Sequence, residues 1–141
     1  MENNQKEFQR KRIQEELNDL FNAGDIKADL VIEENQDYVI YFDLETSGGT
    51  KNLPAKTNVI VPVPNGYPSA PIDMPALPVN SPLIKLVVGS SNPQGIITVM
   101  GIQWQLLSFH PYNGQFGPQW NPNKHGFHDY YQHLYTWLHK I

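Results

Sequence analysis

The sequence predicts an α+β domain: an N-terminal helix, an antiparallel β-meander, a long loop resembling an active-site loop, and a C-terminal helix. Three observations carry that expectation. Ile13, Leu17, Leu20 and Phe21 keep the spacing of one helical face near the start, and Phe127, Tyr131, Leu134, Leu138 and Ile141 do so at the end. Between them the chain turns to short apolar runs rich in Val, Ile and Tyr. The 12 prolines and 10 glycines concentrate between Leu53 and Pro122, the signature of short strands joined by turns.

Each element has a local reason. Asn4 with Glu7 three residues on has the form of a capping box, so a helix is expected to start there, and Gly24 sits where a left-handed cap would end it. Asp29 to Glu33 and Tyr38 to Leu44 read as a hairpin around Glu34-Asn35-Gln36-Asp37. Thr57 to Val63 gives a third strand with Val59, Val61 and Val63 on one face. Pro62, with no amide hydrogen to give, places that end at an edge or beyond the ladder. Pro71 to Leu77 adds a short fourth strand broken by Pro75. Leu83 to Val88 and Ile96 to Met100 read as a further pair, and a long loop starts at Gln103. Asn123 is expected to cap the last helix.

With 141 residues the chain fits one domain, residues 1–141. A formal charge of -4 argues against a nucleic-acid partner, which needs clustered Lys and Arg. No apolar run reaches the length of a membrane span, and the first residues lack a signal peptide's apolar stretch, so no membrane partner and a cytoplasmic location are expected. The chain has no cysteine, which removes disulfides, zinc thiolates and thiolate nucleophiles.

Two motifs stand out: Pro64-Asn65-Gly66-Tyr67-Pro68-Ser69-Ala70-Pro71-Ile72-Asp73-Met74 and Trp104-Gln105-Leu106-Leu107-Ser108-Phe109-His110, followed by Trp120-Asn121-Pro122 at the threshold of the last helix. In that order they resemble the ubiquitin-conjugating enzyme (UBC) superfamily, and more closely its bacterial branch, prokaryotic family E. The resemblance implies a UBC-like fold and a ubiquitin-like modification pathway, with a ubiquitin-like protein and its activating enzyme as partners and no cofactor. The departures bear on chemistry. The place of the conjugating enzymes' catalytic cysteine, a short way before that tryptophan, falls on Tyr112, and no cysteine stands anywhere. His110-Pro111-Tyr112-Asn113 is only superficially similar to the superfamily's His-Pro-Asn, and its role is not carried over. The segment from Asn80 to Met100 exceeds the superfamily minimum and is expected to form a family-specific hairpin.

Without a thiol the thioester of ordinary conjugation cannot form. The resemblance then implies an atypical or inactive member that binds the modifier or the activating enzyme. His110 is the candidate catalytic residue, since neutral imidazole can attack an activated acyl group. Its plainer role is a loop histidine packed between Trp104 and Trp120 and bonded to Ser108 or a carbonyl. Tyr67, Pro68, Asp73, Trp104, Ser108, Tyr112, Trp120 and Pro122 complete the candidate binding or structural site. For Tyr67 and Pro68 the plain role is a locked turn, and for Trp120 and Pro122 the anchoring of loop and helix. Lys6, Arg10, Lys11 and Arg12 offer basic groups to an activating enzyme, or line a solvated helix face. The alternative is an unrelated peptide- or protein-binding module using the aromatic loop from Trp104 to Trp120. A metal-dependent hydrolase built on His125, His128 and Asp129 has little support, since no HExxH pattern is present.

Overall fold

The computed structural model describes residues 2–87, 93–112 and 119–140. Helix α1 (Glu2–Gly24) leads into strands β1 (Ala28–Glu33), β2 (Gln36–Glu45), β3 (Lys56–Pro62) and β4 (Ala76–Pro78). A single helical turn, α2 (Ile84–Val87), precedes strands β5 (Pro93–Val99) and β6 (Ile102–Leu107), and helix α3 (Phe127–Leu138) follows. The six strands form one antiparallel sheet in the order β1-β2-β3-β4-β6-β5. This is the predicted α+β, UBC-like arrangement, with the meander extended by a hairpin that pairs through its second strand.

Alternation along the strands divides the apolar residues between the two faces. Val39, Tyr41, Val59, Val61 and Val63 share the main core with Ile13, Leu17 and Leu20 of α1 and with Phe127, Tyr130, Leu134, Trp137 and Leu138 of α3. Ile40, Ile60, Ala76, Val99 and Trp104 form a smaller cluster on the opposite face. The Met100 amide at the tip of the β5–β6 hairpin donates to the Glu33 carboxylate of β1, although β1 and β5 lie at opposite ends of the strand order, so the sheet curls over this cluster.

Several boundaries differ from expectation. α1 is already helical at Glu2, so Asn4 lies inside it and not ahead of it. The left-handed residue that ends it is Asp25, whose amide bonds the Phe21 carbonyl, and not Gly24. The first hairpin turns on Glu34 and Asn35 alone, with Gln36 and Asp37 paired in β2. Pro62 ends β3 beyond its single pairing with β4, as a residue without an amide hydrogen should.

The second hairpin is not the expected Leu83–Val88 with Ile96–Met100. Leu83 and Ile84 enter a helical turn set by Ser81, whose hydroxyl and carbonyl accept their amides, and Val88 lies outside the described residues. The true pair is β5 with β6 around Met100 and Gly101, both at positive φ, the backbone that a two-residue hairpin favours. The loop therefore starts after Leu107 and not at Gln103. α3 starts later than Asn123: Gly126 is its N-cap, and Tyr130 and Trp137 share its buried stripe. Ile141 falls outside the described residues.

What closes the fold is a carboxylate at the wrong-looking place on a helix. Glu16 lies on the apolar stripe of α1 and is only 5% exposed. It accepts from the Tyr67 hydroxyl at 2.6 Å, from the Phe127 amide at 3.1 Å and from Arg12 Nε at 2.9 Å. The Phe127 bond matters because Gly126 supplies no side-chain cap, so α1 caps α3 from outside. A Cβ on Gly126 would run into the Glu16 carboxylate, which explains the glycine there. Glu16→Ala should lower folding stability by about 3 kcal/mol, since it strands a buried hydroxyl, a helix-terminal amide and part of a buried ion pair. Urea denaturation checks this. A loss within about 0.5 kcal/mol, as at an ordinary surface position, would contradict it.

Candidate functional site

β4 and β6 run antiparallel with Ala76 opposite Leu106, and the Leu107 amide bonds the Pro75 carbonyl. The residues just before β4 and just after β6 therefore leave the ladder at the same end. This brings Asp73 and the Ser108–His110 segment together although 37 positions separate Asp73 from His110. His110 Nδ1 bonds Asp73 Oδ1, and His110 Nε2 lies 2.9 Å from the Ser108 hydroxyl oxygen. A carboxylate only accepts, so Nδ1 carries a proton, and in the neutral form of the ring Nε2 is the atom that accepts from the Ser108 hydroxyl. The order is carboxylate, imidazole, hydroxyl, wired as in acyl-transfer triads.

The group is open to solvent, with the His110 and Asp73 side chains 39% and 46% exposed. It is also anchored from behind, because the buried Tyr130 hydroxyl of α3 donates to the Asp73 carbonyl. Burial pushes the Tyr130 phenol well above its ordinary pKa, so it remains a donor.

Behind this site lies an aromatic wall. Tyr67 and Pro68 are joined by a cis peptide bond, and the Trp120 indole donates to the Pro68 carbonyl at 2.8 Å. Tyr112 is 5% exposed and packs edge-on to Trp120 with ring centroids 4.8 Å apart. Its hydroxyl has no hydrogen-bond partner among the described residues, and desolvation raises its pKa, with Asp129 adding to the effect. Pro122 serves through its carbonyl, which accepts from Arg12 together with that of His125.

The expected site residues thus separate into three groups. Asp73, Ser108 and His110 form the polar array, and Tyr67, Pro68, Tyr112, Trp120 and Pro122 form the wall. Trp104 is in neither: it is 1% exposed in the cluster on the other face of the sheet. His110 consequently is not packed between Trp104 and Trp120, and these two tryptophans do not line one groove. The loop's glycine-rich part, residues 113–118, lies outside the described residues. Of the basic residues on α1, Arg10 makes a two-point pair with Asp37, Arg12 binds Glu16, and Lys6 bonds the Asn35 carbonyl. Lys11 is exposed.

Sequence reasoning missed Glu16 and Tyr130. Glu16 could have been found as an acid inside the Ile13, Leu17, Leu20 stripe. Among the described residues no group of three or more His, Asp or Glu side chains is placed to hold a metal ion. His125 Nδ1 instead accepts from the Asn121 amide.

Residues 15–141 match the family model described as Prokaryotic E2 family E. The chain belongs to prokaryotic E2 family E. No curated protein and no solved structure matches it. This E2-like chain keeps the conjugating fold without a cysteine, and no helix among its described residues is long and apolar enough to cross a membrane.

His133 gives a pH signature beside the Tyr112 wall, whose ring meets its own edge-on at 5.0 Å. Burial lowers its pKa, with Asp129 opposing and His125 reinforcing the shift. The unfolded chain therefore takes up a proton that the fold resists. His133 costs no stability above the ordinary value of 6.5 and an increasing amount as pH falls below it, down to its folded pKa. His133→Gln should shrink the drop in urea midpoint between pH 7.5 and pH 5.5; an unchanged or larger drop would count against this assignment.

Proposed function

We propose that this protein acts in a bacterial ubiquitin-like modification pathway as an atypical E2-like member that binds the ubiquitin-like modifier, its activating enzyme, or both. The observation that carries the reading is the family match over residues 15–141 in a chain without a thiol. A conjugating enzyme works by holding a flexible C-terminal tail against a nucleophile, and the holding surface is separable from the thiol that reacts. In this reading the exposed Asp73–His110–Ser108 array is the group offered to such a tail. ATP-dependent activation of the modifier makes the cytosol the setting of this reading.

A surface for the partner accompanies it. The N-terminal part of α1 and the Pro64–Ser69 turn border a groove lined by Lys6, Phe8, Gln9, Tyr67, Pro68 and Ser69. Phe8 is 67% exposed there, an apolar side chain beside a turn held rigidly by Glu16 and Trp120. The competing reading, an aromatic loop that docks a peptide, draws no support from Trp104, which is buried in the second core cluster.

The test is calorimetry of the purified chain with the ubiquitin-like protein and with the activating enzyme of its own genome. The reading predicts binding to at least one of them, weakened about tenfold or more by Phe8→Ala. With ATP and all three proteins present, intact mass should show no adduct on this chain that a thiol reductant releases. Absence of binding to both partners would overturn the proposal.

A further inference from the structure

The geometry points to Ser108 as an acyl acceptor: a hydroxyl nucleophile, activated by His110 and oriented through Asp73, that takes the C-terminal acyl group of a ubiquitin-like protein from a thioester and holds it as an oxygen ester. This inference rests on the proposed function and names the chemistry of the same site.

Three observations carry it. His110 is occupied at both nitrogens, Nδ1 by the Asp73 carboxylate and Nε2 by the Ser108 hydroxyl at 2.9 Å. A histidine so held is set to take a proton from Ser108, and would have to leave the hydroxyl to become the nucleophile itself. The array is rigid on its carboxylate side: the Asp73 carbonyl is held by Tyr130, and β4 with β6 fixes the two chain segments. It is also partly open, with His110 39% exposed, so the thin tail of a protein substrate can reach it without a pocket. A purely structural loop histidine needs neither the carboxylate nor the open position.

The step balances without any further reactant. The Ser108 oxygen attacks the thioester carbonyl carbon while its proton passes to His110 Nε2. The new carbon–oxygen bond forms, the carbon–sulfur bond breaks, and the proton returns from the imidazolium to the departing thiolate. Asp73 is a positioning residue that keeps the proton on Nδ1 and stabilises the transient imidazolium. An oxygen ester is less reactive than an acyl-imidazole, so Ser108 is the better carrier of the two for a chain with no thiol.

The experiment uses the full chain with two probes: a fluorophosphonate, which reports an activated serine, and a synthetic peptide thioester ending in Gly-Gly, with adducts mapped by mass spectrometry. Both should label Ser108, and the acyl adduct should resist thiol reductants but yield to mild base. Ser108→Ala should abolish both adducts while the circular dichroism spectrum remains. Ser108→Cys should restore the acyl adduct in a form that thiol reductants release. His110→Gln should slow labelling about a hundredfold, and Asp73→Asn should slow it with partial rescue in Asp73→Glu. A folded chain that binds the modifier yet stays unlabelled at Ser108 by either probe would overturn the ester and leave the binding role standing. Labelling that persists at the same rate in His110→Gln would also overturn it.

Discussion

One buried carboxylate organises this molecule. Glu16 joins α1 to the Tyr67 turn, to Arg12 and to the first amide of α3. A charge in a core costs free energy unless its partners are complete, and here two oxygens find three protein donors. Because those donors come from three distant parts of the chain, the carboxylate also fixes how they sit together. Arg12 extends the same network to the carbonyls of Pro122 and His125, so the segment that precedes α3 is fastened as well. α3 in turn holds the Asp73 carbonyl through Tyr130. The exposed array therefore inherits part of its position from this buried contact.

The second constraint is the antiparallel ladder. Residues that leave paired strands at the same end must meet, whatever their separation in sequence, and Asp73 and His110 do so beside β4 and β6. The family's two motifs are thus the two strand exits of one ladder. Nothing in this geometry depends on a cysteine.

Much of the frame was legible in the sequence. Helical spacing placed α1 and α3, and alternation grouped Val59 and Val61 of β3 with Val63 on one face, because both periodicities follow directly from backbone geometry. The β5–β6 hairpin was hidden because its turn is Met100-Gly101 and not the usual Asn-Gly or Asp-Gly, which shifted the pairing toward a neighbouring Ser- and Gly-rich stretch. Ile84 to Val87 misled for another reason: a short apolar run suits a strand or a helical turn equally, and Ser81 decides it. At the site, His110 and Ser108 were visible as a pair two residues apart. Asp73 was visible only as part of a motif, since its partnership is a long-range fact. Trp104 was misplaced because burial in a second, smaller cluster leaves no mark distinct from burial beside a loop.

The central claim is that His110 is a base held in one tautomer, and not a free loop imidazole. Nitrogen-15 NMR of the His110 ring near neutral pH, assigned with His110→Gln, tests it most directly. The account predicts a ring whose Nδ1 proton is shifted downfield and protected from exchange by Asp73, with Nε2 facing the Ser108 hydroxyl. A ring averaging between tautomers with freely exchanging protons, or one protonated at Nε2 alone, would contradict the account.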